Sequence, residues 1–449
     1  MMTMKPRSFI LSVSISVALL AGATGCGNDL PDRNSGAEEY AEGNTMVIYE
    51  ANPRVFASSE SLNAIESRLV EIEKLGVNVI WLMPVYEQGV KNSVGSPYCI
   101  RDYKKVNPSF GTLDDLKSLV TKAHSMGMKV ILDWVANHTS WDNAWIEEHP
   151  EWYTRDSDGN IIPPAGMGWN DVADLDYDNA GLRAGMIDAM TWWIREAGVD
   201  GFRCDYAEGV PADFWKEAIK AVRTLDPDAV MLAEASDTKL LDCGFQMLYG
   251  WDFQSKLASL FGGRTSVQAL YESHANEYKG LPDGKERLRF TTNHDKAGES
   301  SPVAVYKGER GAMAAFVISA YSGGVPLIYS SQEIGYAGKV NFFTDVIMDW
   351  DSNPSYIEEY AGVMAAYIGS ADVRGSKPVF YNTGGIVSIY YEGGLFVVVN
   401  TSGSEVSAKS PMERAGDKVT DMITGLEETV PSVLVLDAYE YKIWKRNQL

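Results

Sequence analysis

The stretch GFRCDYAEGV, residues 201–210, decides how the rest of the chain is read. Its first half is short, apolar and glycine-led, as a buried strand is, yet it carries Arg203 and Asp205 two positions apart. Side chains alternate across an extended strand, so these two charges share one face while Cys204 takes the other. A charge pair on one face at the end of an apolar strand asks for a polar site at that end.

Working outward, similar apolar runs recur between longer segments of helical spacing. They are MVIYE from residue 46, NVIWLMPV from 78, KVILDWV from 129, AVMLAE from 229, FQMLYGWDF from 245, RLRFTT from 287 and VPLIYS from 325. Between the first two, Leu62, Ile65, Leu69, Ile72 and Leu75 fall on one helical face. The segment TLDDLKSLVTKAHSMG opens with Thr112 and Asp115 in capping-box spacing and closes on Gly127. With GFRCD as the fourth, eight strands interleaved with helices predict a (β/α)8 TIM barrel over residues 45–370. An open doubly wound sheet would call for a glycine-rich phosphate turn, which the sequence lacks.

The interval 138–178 is too long for a simple connection. It predicts a small domain (domain B) over the barrel mouth, carrying Trp141, Trp145, Trp152 and Trp169. DSDGN at 156–160 places its glycine too early for an EF-hand loop and reads as a turn. From 371 to 449 the pattern becomes alternating strands broken by glycine pairs, as in KPVFYNTGG, IVSIYYEGG and LFVVVNTSG, which predicts a C-terminal antiparallel β-sandwich domain.

Composition narrows the partners. A net charge of -22 argues against nucleic acid and anionic membrane, which need clustered Lys and Arg, and favours a neutral ligand. Twelve Trp and 23 Tyr supply flat amphipathic rings suited to cores and to the faces of sugars. Lys5 and Arg7 precede FILSVSISVALLAGATG, a run too short to span a membrane, so residues 1–25 read as a signal peptide. The run closes on Cys26, which resembles a bacterial lipoprotein signal with lipid on the Cys26 sulfur; the alternative is an ordinary secretory signal cut nearby. Either predicts export, and the lipoprotein reading predicts an outer-membrane lipoprotein whose contact with membrane is only that anchor. Residues 26–44 read as a flexible acidic tether. Cys99, Cys204 and Cys243 lack metal-ligand spacing and are expected as buried free thiols, with one disulfide left open.

In such a barrel the functional groups come from the C-terminal ends of strands. Strand three ends in Asp133, with Asn137 and His138 beyond it; strand four ends in Arg203 and Asp205, strand five in Glu234, and strand seven in Asn293, His294 and Asp295. A lone acid at a strand end is more often a cap or an ion-pair partner, and His124 and His149 are left as ordinary satisfied residues. Several carboxylates, two His and an Arg converging on one mouth form a different pattern. Like charges packed there cannot all stay ionised cheaply, so one carboxyl should hold a proton, as a general acid beside an ionised nucleophile requires.

DWVANHTS, GFRCDYAEG, MLAEAS and TTNHD, in that order, resemble the four signature regions of the α-amylase family, glycoside hydrolase family 13. SPYCIRDYKKVNPSFGT, VADLDYDN and VPLIYSSQEIG resemble further segments of that family, so the likeness spans residues 46 to about 340. The resemblance implies Asp205 as nucleophile, Glu234 as general acid/base and Asp295 as transition-state stabiliser. It implies Arg203, His138, His294 and Tyr98 as substrate-binding residues, Arg203 holding Asp205 ionised. At Tyr98 the usual preceding Gly is Pro97 and the frequent following Asp is Cys99. Asn137 and Asp174 match positions that bind a structural Ca2+ in many members, where a third ligand is a backbone carbonyl at the position of Gly209 here. No organic cofactor is implied.

The expected function is retaining hydrolysis of α-glucosidic, mainly α-1,4, bonds in starch-type glucans or maltooligosaccharides. Within enzymes the alternatives are an oligosaccharide-specific cyclomaltodextrinase, neopullulanase or α-1,6-glucosidase, or a transglycosylase. Tyr206, directly after the expected nucleophile, should narrow or stack the acceptor side. The alternative of another class is a non-catalytic glycan-binding lipoprotein, whose usual mark, loss of a catalytic acid, is absent from this sequence.

Overall fold

The computed structural model describes residues 45–447; the expected signal peptide, Cys26 and the expected tether lie outside the described residues. Eight parallel strands close into a barrel: β1 (Ile48–Ala51), β2 (Val79–Leu82), β3 (Lys129–Trp134), β4 (Gly201–Cys204), β5 (Val230–Ala233), β6 (Met247–Tyr249), β7 (Glu286–Arg289) and β8 (Val325–Tyr329). Each strand pairs with its neighbours in sequence, and β1 closes the ring on β8. All eight apolar runs read from the sequence are barrel strands.

Alternation along these strands separates two cores. Ile48, Val79, Trp81, Ile131, Leu232, Tyr249 and Leu327 fill the interior, while Tyr49, Ile80, Leu132, Phe202, Cys204 and Leu248 pack outward against the helices. Parallel strands covered on both faces must be apolar on both, which is why these segments read as continuous apolar runs. The glycine that leads β4 is required by geometry: Gly201 has φ +139°, and a Cβ there would lie 2.0 Å from the Val230 carbonyl oxygen.

Helix α1 (Leu113–Ser125) begins with the predicted capping box, Thr112 and Asp115 each satisfying the other's backbone N–H. Helix α2 (Ala180–Ala197) starts under Asn179, whose side chain accepts from the N–H groups of Gly181 and Leu182, and ends at Gly198 in the left-handed conformation. Helix α3 (Ala212–Leu225) buries Phe214, Trp215, Ile219 and Val222 on one face. Between β3 and α2 the chain makes an antiparallel pair of His138–Ser140 with Val172–Asp174. There Trp152 stacks on His149 at 4.0 Å and meets Trp145 edge-on. DSDGN is a turn, closed on the Asp156 carboxylate by the N–H groups of Asp158 and Asn160.

Beyond the barrel a six-stranded antiparallel sheet is built from β9 (Val379–Thr383), β10 (Ile386–Tyr391), β11 (Leu395–Asn400), β13 (Lys418–Asp421), β14 (Glu427–Thr429) and β16 (Tyr441–Arg446). A two-stranded ribbon of β12 (Val406–Lys409) and β15 (Val433–Leu436) covers one face through Leu434 and Leu436. The expected sandwich is therefore lopsided, and its other face explains why. Val387, Ile389, Tyr391, Val397 and Val399 join the large core of the barrel's outer layer, so barrel helices do the covering that a second full sheet would do. Cys99, Cys204 and Cys243 are all buried free thiols.

Candidate functional site

The alternation at the end of β4 survives past its last residue, because the Asp205 N–H still donates to the Trp134 carbonyl at 2.9 Å. Arg203 and Asp205 therefore share the inward face, and Cys204 lies in the outer core. Arg203 has no exposed surface and is the hub of the barrel mouth. Its Nη1 donates to Asp133 Oδ1 at 2.6 Å and Asp205 Oδ1 at 2.9 Å, its Nη2 to Glu234 Oε2 at 2.8 Å, and its Nε to the Tyr249 hydroxyl at 3.0 Å. Rings of Trp81, Tyr98 and Tyr249 surround the guanidinium at 5.1 to 5.8 Å. Truncating such a buried cation would leave its carboxylates uncompensated, at a cost of about 3–5 kcal/mol.

Glu234 Oε2 also accepts the backbone N–H of Tyr206 at 2.9 Å. The other oxygen of Glu234 and the other oxygen of Asp205 have no hydrogen-bond partner among the described residues. Each acid is thus held by one oxygen and offers the second to the pocket. Tyr206 reaches this position only in the left-handed conformation, φ 38° and ψ 49°, which costs a non-glycine residue about 1–2 kcal/mol. Its ring lies where Gly209 leaves room: a Cβ at Gly209 would come within 2.3 Å of the ring and 2.6 Å of Asn137 Oδ1. Trp169 meets the ring edge-on at 5.3 Å, and the Tyr206 hydroxyl donates to the Met167 sulfur at 3.6 Å. Glu208, two residues after Tyr206, accepts the N–H groups of Ser236 and Asp237, bracing the loop after β5.

On the opposite wall Asp295 has a side chain 40% exposed and lies 3.5 Å from His294 Nε2. His294 is buried, with Nδ1 2.5 Å from Glu50 Oε1 and Nε2 2.8 Å from the Tyr98 hydroxyl. The hydroxyl in turn donates to Asp133 Oδ2 at 3.0 Å, which also accepts Trp81 Nε1 at 3.2 Å. Tyr98 stacks against His294 at 5.4 Å. Five carboxyl groups, Glu50, Asp133, Asp205, Glu234 and Asp295, thus surround two basic groups, Arg203 and His294.

Burial pushes the Asp205 carboxyl well above its ordinary range; Arg203 pulls it down, and Glu234 and Asp133 push it up again. The guanidinium thus lowers Asp205 as expected, and burial first, then the carboxylates that share the guanidinium, act against it. Burial likewise raises Asp133 and Glu50. The two histidines diverge. His294 is raised to about 9: burial opposes its charge, and Asp295 and Glu50 overcome it. His138, with Nδ1 accepting from the Asn137 amide at 3.3 Å, is lowered to about 4 by burial, opposed by a hydrogen bond with the Tyr98 backbone.

The positions matched to calcium ligands carry oxygen donors, the Asn137 amide oxygen, the Asp174 carboxylate and the Gly209 carbonyl. Asn137 donates an amide N–H to His138, which leaves Oδ1, the atom that would ligate a cation, on the Gly209 side, and Asp174, raised by burial, has a hydrogen bond with the Thr154 side chain. Ca2+ takes about six to eight oxygen ligands, carboxylates prominent among them. Asn137, Asp174 and the Gly209 carbonyl would offer three of these oxygens. Among the described residues no group of three His, Cys, Asp or Glu could hold a metal ion.

The structure therefore gathers Asp205, Glu234, Arg203, Asp295, His294 and Tyr98 at one mouth, with His138 on its excursion side. It adds Glu50, Trp81 and Tyr249, which were not singled out from the sequence, and gives Asp133 a place that the sequence left without a role. The missed residues occupy the last inward positions of β1, β2 and β6. Inspecting those strand ends as strands three, four, five and seven were inspected would have found them.

A family model described as alpha amylase, catalytic domain, matches residues 41–160 and 167–409. An α-amylase of Haloarcula japonica is 27% identical over 359 residues, covering 77% of this chain and 51% of that protein, so the chain spans about half of that curated relative. The crystal structure of an α-amylase from Lactobacillus plantarum superimposes with a TM-score of 0.81 at 28% identity, covering 91% of this chain and all of that one. A maltogenic α-amylase of Thermotoga neapolitana gives a TM-score of 0.81 at 25% identity, covering 90% of this chain and 99% of that one.

Proposed function

This chain belongs to the α-amylase family, and on that premise we propose that it is a retaining glycoside hydrolase acting on α-glucosidic, mainly α-1,4, bonds of starch-type glucans or maltooligosaccharides. The observation that carries this reading is the shared guanidinium. Arg203 fixes one oxygen of Asp205 and one of Glu234, leaving one oxygen of each for substrate. Two carboxyls held side by side, one to attack and one to donate a proton, are what double displacement requires.

In the substrate complex Glu234 serves as the proton donor and Asp205 as the ionised nucleophile. The Asp205 oxygen then bonds to the anomeric carbon while the glycosidic C–O bond breaks, and the departing oxygen takes the Glu234 proton. Glu234 next removes a proton from water, whose oxygen displaces Asp205 and regenerates both groups. Asp295 stabilises the positive charge that develops on the sugar. His138, His294 and Tyr98 bound the sugar's pocket, and the ring of Tyr206, backed by Trp169, narrows the leaving-group side. Substituting Asp205 by Asn is expected to lower release of reducing sugar from soluble starch at least about a thousandfold, with the circular dichroism spectrum unchanged. Undiminished hydrolysis would remove the assignment.

We further propose export and anchoring through Cys26, supported by the basic start, apolar run and terminal Cys of the leader. Cys26→Ser is expected to move the protein from the membrane fraction to the soluble one; no change in partition would count against a lipid anchor.

A further inference from the structure

Glu50 is a buried acid outside the catalytic step. It has no exposed surface, it projects inward near the end of β1, and its Oε1 lies 2.5 Å from His294 Nδ1. Its Oε2 is buried and has no hydrogen-bond partner among the described residues. An unsatisfied buried oxygen is costly, so a carboxylate retained with one partner points to a task performed on that partner.

The direction of the hydrogen bonds shows the task. Asp133 accepts from Arg203 at one oxygen and from Trp81 and Tyr98 at the other, the pattern of an ionised carboxylate. Tyr98 has a single hydroxyl proton and spends it on Asp133, so at the 2.8 Å contact its oxygen must accept from His294 Nε2–H. With Nε2 as a donor, neutral imidazole would leave Nδ1 bare against the Glu50 carboxylate. The line closes only with a second proton between Nδ1 and Glu50.

We propose that Glu50 is a positioning residue that locks the ring orientation and positive charge of His294, through which it sets the geometry of Asp295 and Tyr98 on the sugar side of the pocket. His294 is faced by Glu50 from β1, Asp133 from β3, Arg203 and Asp205 from β4 and its end, Tyr98 from the loop after β2, and Asp295 from its own segment. Trp81 and Phe342 meet it edge-on and carry no charge. Among these groups Glu50 has the shortest contact with the ring. The proposal rests on the reading of Asp205, Glu234 and Asp295 as the catalytic acids.

The test is an NMR titration of histidine-labelled intact protein, with the His294 signal identified by its loss in His294→Gln. The wild-type ring is expected to keep its charge to about pH 9. In Glu50→Gln, which preserves shape and removes charge, the midpoint falls by about one unit or more, and kcat drops about tenfold with KM within about twofold. Glu50→Asp, which keeps the charge, restores most of the midpoint. An unchanged midpoint in Glu50→Gln overturns the proposal, as does a wild-type His294 titrating near the ordinary value of about 6.5, which needs no variant to fold. The titration is read without substrate, so its failure leaves the catalytic reading standing, whereas an active Asp205→Asn removes that reading and leaves the titration result intact.

Discussion

Two walls of one pocket each present a buried histidine, one shifted toward the neutral form and the other toward the cation. On the excursion wall His138 sits between the Asn137 amide and the edge of Trp169, meets no carboxylate, and burial drives it to about 4. On the β7 wall His294 is equally buried, but Glu50 and Asp295 flank it and hold it near 9. Burial alone makes an imidazole neutral; burial with paired carboxylates makes it a cation. The same residue type, predicted from the sequence for the same role, therefore serves as a neutral hydrogen-bonding group on one wall and as a fixed charge on the other.

Removing each ring should separate the two roles. His294→Gln takes a cation from among carboxylates and is expected to lower kcat/KM about a hundredfold. His138→Gln removes a neutral hydrogen-bonding group and should cost about tenfold. Equal losses on maltoheptaose would erase the distinction. A smaller effect should appear in urea unfolding at acid pH. The unfolded chain protonates His138 near 6.5, whereas the folded ring resists until about 4. Stability from this ring is thus intact above pH 6.5 and lost as pH falls toward 4, by up to about 3 kcal/mol, and the decline should be shallower in His138→Gln.

The barrel was legible because its strands are covered on both faces and read as apolar runs, and because the polar residues that interrupt those runs stand at their ends. The acids were legible for the same reason: Asp205, Glu234 and Asp295 lie at or just beyond strand ends. Glu50 was less visible, since a single Glu closing MVIYE looks like any edge residue until β1 is seen lying against β8, opposite Tyr329. The setting of Asp205 could not be read from GFRCD, which shows its guanidinium but neither its burial nor that Glu234 and Asp133 arrive at the same guanidinium from β5 and β3. The ribbon-covered sheet at the C-terminus also depends on distant residues, because alternation shows that a face is apolar and not what covers it.

The roles given to Asp205 and Glu234 meet in one observable, the configuration of the first sugar released. Proton NMR during early hydrolysis of maltoheptaose by the wild-type enzyme should show the α anomer accumulating first, with the β form appearing only as mutarotation proceeds. A β anomer as the initial product would contradict attack by Asp205 and require water to act directly.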